Sequence, residues 1–78
     1  MTDEKNMSRE LIDVVEHFTA TIVMTAREEE FYRRSAEATS RQDIKKLMLE
    51  VTEDLARLGK KMEARRENLL QTFRELQD

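Results

Sequence analysis

Apolar residues recur along this chain at alternating spacings of three and four, the period at which side chains stack on one face of an α-helix. In the first half the row reads Leu11, Val15, Phe18, Ile22, Thr25, Glu29, Tyr32, Ala36. In the second half it reads Met48, Val51, Leu55, Leu58, Met62, Arg65, Leu69, Thr72, Leu76, with Ile44 and Leu47 leading in. Met7, Val14, Met24, Phe31 and Phe73 flank the rows and widen them. Stripes of that width suit a bundle helix better than the narrow seam of a two-stranded zipper. The rows break near Thr39–Ser40. Ser40 is placed to cap a new helix N-terminus, and Asp43, three residues on, to reach back to it as in a capping box. The pattern therefore predicts a helix over about 7–38, a turn at 39–40 and a second helix over about 41–76. Residues 1–6 read as a frayed start.

Two rods of roughly 45–55 Å joined by a tight turn form a long antiparallel hairpin, an all-α single domain over residues 7–78. Alone, such a hairpin leaves half of each stripe in water. Burying one large aliphatic side chain is worth about 1.5–3 kcal/mol, so the exposed halves drive association. Two hairpins then homodimerise into a four-helix bundle, twofold dimers being the commonest solution. Its core is expected to comprise Leu11, Val15, Phe18, Ile22, Tyr32, Leu47, Val51, Leu55, Leu58, Met62 and Leu69.

Composition narrows the function. Seventy-eight residues allow one small domain, and the absence of cysteine removes disulfides, thiolate metal sites and cysteine nucleophiles. There is no proline and one glycine, Gly59, too few for the turns of a β or α/β fold. No apolar run reaches the roughly 18 residues of a membrane span and no signal peptide is evident, so a soluble, cytoplasmic protein is expected. Charged residues make up 40% of the chain, yet the net charge is −3. Residues 1–30 carry −5, residues 31–66 carry +4 and residues 67–78 carry −2. Arg57, Lys60, Lys61, Arg65 and Arg66 would be the nucleic-acid footprint, but no aromatic residue is interleaved for base stacking. The hairpin offers them another use, with Asp13 and Glu16 approaching Arg65 and Arg66 across the helix pair.

Among candidate sites, His17 is the only histidine, with Asp13 one turn upstream as a charge partner and no serine or cysteine nucleophile to activate. Glu29 stands on the apolar row, where a carboxylate is costly unless paired, protonated or metal-bound. Across the hairpin lie Glu50, Glu53 and Asp54, which with Glu28 and Glu30 would form an acidic belt suited to a hard divalent cation or iron. The alternative is that Glu29 pairs with Arg33, four residues on.

The segment Arg27 to Glu63 resembles the helical hairpin of the rubrerythrin branch of the ferritin-like superfamily. The matching features are the Phe31-Tyr32 pair, Ala36-Glu37 before the turn, Asp43-Ile44-Lys45-Lys46-Leu47-Met48 opening the next helix, and Glu53-Asp54 beyond. The resemblance covers about half the chain. It implies a ferritin-like four-helix bundle in which each hairpin supplies a metal-binding Glu before the Tyr and a Glu-x-x-His on the following helix. Aligned on these features, the first ligand falls at Thr25 and the Glu-x-x-His at Leu55-Ala56-Arg57-Leu58. Neither leucine can coordinate a metal, and no shift of register restores the motif. The expectation is therefore a non-catalytic, metal-free, cofactor-free hairpin of ferritin-like shape, acting as a homodimer or larger homo-oligomer or through a protein partner, without nucleic acid or membrane. Two alternatives stand beside it: a carboxylate-bridged iron or manganese site built on Glu29, and a small adaptor using the basic face of the second helix.

Overall fold

The computed structural model describes the backbone of residues 2–77 and the side-chain surroundings of residues 9–75. Two helices, α1 (Thr2–Ala38) and α2 (Gln42–Gln77), make up all but the short connection between them, and the described residues hold no strand. The all-α expectation holds. Helix α1 starts at Thr2, not near residue 7.

Capping of α2 departs from the sequence expectation. The Arg41 carbonyl accepts the first helical bond, from the Lys45 amide at 2.9 Å, so Arg41 and not Ser40 is the N-cap. The Thr39 hydroxyl accepts the Arg41 amide at 3.2 Å, closing a tight turn just before the cap. Asp43 accepts the Ile44 amide at 2.9 Å and the Arg41 guanidinium at 2.8 Å. Its carboxylate thus stabilises the helix start from inside the first turn instead of reaching back to Ser40.

Helix α2 retraces α1. Arg66 Nη1 donates to Thr19 Oγ1 at 3.2 Å, Gly59 lies against Thr25, and Leu11 and Val15 border a notch with Leu70 and Phe73. Each step toward the N-terminus of one helix is matched by a step toward the C-terminus of the other. The result is a helical hairpin measuring 61 × 15 × 12 Å between Cα atoms.

Small residues hold the two helices together. Ala36 is the only buried hydrophobic residue among those described, joined by buried Thr25 and Thr52, and no large side chain is fully enclosed. Both threonine hydroxyls donate to carbonyls of their own helix, Thr25 to Ile22 and Thr52 to Met48, each at 2.8 Å, so neither is orphaned. At Gly59 an added Cβ would sit 3.2 Å from Thr25 Oγ1, a close approach that glycine permits. The inward row of α2 therefore runs Met48, Thr52, Leu55, Gly59, Met62, Arg66, Leu69, Phe73. It shares every other member with the expected row but takes Thr52, Gly59, Arg66 and Phe73 where Val51, Leu58, Arg65 and Thr72 were expected. Periodicity weighted by side-chain size favours Val51 and Leu58, whereas close backbone approach favours Thr52 and Gly59. Met7 and Leu76 lie outside the described side chains.

The expected ion pairs across the hairpin do not form. The four ion pairs among the described residues are Arg33–Glu29, Arg34–Glu30, Arg41–Asp43 and Arg57–Asp54, all between near neighbours in sequence. Asp13 and Glu16 are exposed and take part in none of these pairs, and Arg66 directs its guanidinium to Thr19 instead. No helix among the described residues is long and apolar enough to cross a membrane.

Candidate functional site

The hairpin's unfinished feature is one of its two broad sides. In two helices that run in opposite directions, the residue just before each inward-facing position turns toward the same side of the pair, and the residue just after turns toward the other. Val14, Met24, Phe31, Leu47 and Leu58 each precede an inward residue (Val15, Thr25, Tyr32, Met48 and Gly59), so they share one side. All five are exposed: Val14 by 42%, Met24 by 62%, Phe31 by 61%, Leu47 by 60% and Leu58 by 44%. Half-buried Val51, preceding Thr52, joins them. We call this side the apolar flank. The opposite side holds exposed Ile12, Val23 and Leu49, interrupted by Glu16, Glu30, Arg33, Glu53, Lys60, Glu63 and Glu67. The apolar flank also carries Glu10, Glu28, Asp54, Lys61 and Arg65, but it exposes more and larger apolar side chains than the opposite side, and such surface marks an interaction site where singly scattered apolar residues do not.

Of the residues expected to build a bundle core, Leu11, Val15, Phe18, Ile22, Tyr32, Val51, Leu55, Met62 and Leu69 are half-buried within the single hairpin. Leu47 and Leu58 are exposed on the flank. Phe31 packs edge-on against Tyr32, with ring centroids 5.4 Å apart and planes at 86°, so the flank's largest side chain is braced by its neighbour.

Area supports the same conclusion. The chain exposes 6465 Å². A compact monomer of its 9.3 kDa would expose about 5,000 Å². The excess, about 1,500 Å² per chain, falls in the range that each partner of an obligate dimer covers.

Metal chemistry finds no comparable arrangement. At the three positions where the rubrerythrin pattern would place ligands stand Thr25, its hydroxyl committed to the Ile22 carbonyl, half-buried Leu55 and exposed Leu58. Glu29 is partly exposed and pairs with Arg33 at 2.8 Å. Glu28, Glu30, Glu50, Glu53 and Asp54 are exposed, and Asp54 pairs with Arg57. Among the described residues no three carboxylate or imidazole groups converge to hold an ion, so the acidic belt does not assemble within one hairpin. His17 is exposed and makes no ion pair with Asp13. The basic residues of α2 do not share a face either, since Arg66 turns inward, Arg57 is engaged by Asp54, and Lys60 and Lys61 fall on opposite sides. In the seam at Thr25, Thr52 and Gly59, the glycine alone was a sequence sign of close helix approach, and its register against the two threonines was not. The chain matches no protein-family model, no curated protein and no solved structure.

Proposed function

We propose that this chain is a non-catalytic, cytoplasmic assembly module. Two hairpins associate through their apolar flanks into a four-helix bundle of ferritin-like shape whose interior is apolar packing in place of a metal centre. The observation that carries this reading is the flank of Met24, Phe31, Leu47 and Leu58, left in water by a hairpin that itself buries a single hydrophobic residue, Ala36, among those described. A second copy supplies the missing cover, because each copy brings the same apolar side. Thr25, Leu55 and Leu58 at the ligand-equivalent positions favour packing over redox chemistry, since a hydroxyl bound to its own backbone and two leucines offer no donor to a metal.

The test is a native mass spectrum of the chain purified without chelator and then offered ferrous iron and manganese. The expected species is a metal-free particle near twice 9.3 kDa. A stable monomer would refute assembly, and one or two tightly held metals per dimer would refute the metal-free interior.

A further inference from the structure

The apolar flank carries five charged residues besides its apolar ones, Glu10, Glu28, Asp54, Lys61 and Arg65, and the order of the four nearest its middle implies a direction of pairing. Glu28, Asp54, Lys61 and Arg65 each precede an inward residue (Glu29, Leu55, Met62 and Arg66), which places them on the same side as Met24 and Leu58. Their heights follow from the contacts of the hairpin. Gly59 lies level with Thr25 and Arg66 level with Thr19, so Met24 and Leu58 sit together near the middle of the flank. Arg65 is displaced from that level by about 10 Å toward the open end, with Lys61 between, while Glu28 and Asp54 are displaced by about 6 Å toward the turn. Within about 10 Å of the Met24–Leu58 level, base lies on one side and acid on the other, while Glu10, which precedes Leu11, stands about 20 Å away toward the open end.

We propose that the partner on this flank is a second copy of the chain lying head to tail, its twofold axis crossing the flank near Met24 and Leu58. That operation brings Arg65 and Lys61 of one copy over Glu28 and Asp54 of the other, twice per dimer, and packs Met24 and Leu58 against their own counterparts. The competing arrangement, with both turns at the same end, lays α1 of one copy over α2 of the other, which stacks Glu28 on Asp54 and gathers the bases of both copies at one end of the flank. Like charges facing across an apolar interface suppress that partner geometry. The inference rests on the assembly reading above and adds its orientation.

The absence of cysteine makes the orientation directly readable. Met24→Cys and Leu47→Cys are made separately, oxidised at low concentration and run without reductant. The head-to-tail dimer links through Met24→Cys and not through Leu47→Cys, whose two copies lie tens of ångströms apart. Glu28→Lys and Arg65→Glu each weaken the dimer, by roughly tenfold in Kd, and the double variant recovers most of the loss. Sedimentation of the wild-type chain separates the two claims. A wild-type monomer overturns the assembly reading, whereas a wild-type dimer that links through Leu47→Cys, or whose charge reversals fail to compensate, overturns the orientation alone.

Discussion

Gly59 and Thr25 set how closely the helices approach, and their interaction is measurable. Glycine within a helix costs about 1 kcal/mol relative to alanine, so Gly59→Ala on an open surface would stabilise. Here the new methyl meets Thr25 Oγ1 at 3.2 Å, and that hydroxyl is held by the Ile22 carbonyl on a stiff β-branched side chain. Gly59→Ala is therefore expected to leave stability near the wild-type value, but to gain about 1 kcal/mol when Thr25→Ala removes the obstruction. A double-mutant cycle from urea unfolding measures this, and simple additivity of the two changes would dismiss the close contact. Glu29 makes the opposite case. It stands on the apolar row yet turns to the rim and pairs with Arg33, one turn on. Glu29→Gln should cost no more than about 0.5 kcal/mol, the worth of an exposed pair at this spacing. A loss of several kcal/mol in thermal unfolding would mean that the carboxylate has a buried role.

Both helices, and the break between them, were legible from apolar spacing, because burying one face of an amphipathic helix dominates its stability. Which residues face which neighbour was less legible. α2 has two usable rows that share Met48, Leu55, Met62 and Leu69. The bulkier row, through Val51 and Leu58, attracts the eye, but the hairpin closes on the smaller one, through Thr52 and Gly59. Side-chain volume speaks for burial somewhere, not for burial against the nearest helix. The cap misled for a related reason. Serine is the better intrinsic N-cap, yet the Thr39 hydroxyl, by taking the Arg41 amide, places the helix start one residue later. Ser40→Ala should accordingly be neutral in circular-dichroism melts, while Asp43→Ala, which removes the carboxylate at the Ile44 amide, should cost about 0.5–1 kcal/mol. A larger loss from Ser40→Ala than from Asp43→Ala would reverse the assignment.

A rod of two helices encloses little apolar volume, and Ala36 is the one buried hydrophobic residue among those described. The charge pattern, close to neutral in sum but segregated in sequence, does not bind the two helices to each other, since every ion pair among the described residues is local. What remains to give the molecule a larger core is its apolar flank. That flank was half legible: Leu47 and Leu58 were expected at a bundle core, while Met24 and Phe31 read only as flanking residues until the direction of the hairpin put all four on one side. The measurement that tests this most directly is sedimentation equilibrium over a wide concentration range, comparing the wild-type chain with Met24→Glu and Leu58→Glu. These positions lie on the flank and outside the seam, so each variant should keep its helical signal near low temperature. The wild-type chain should sediment as a dimer near twice 9.3 kDa, and each variant should shift toward monomer by tenfold or more in Kd, roughly the loss expected on burying an uncompensated carboxylate. A wild-type chain that stays monomeric at every concentration, or a dimer indifferent to both glutamates, would contradict the flank as the association surface.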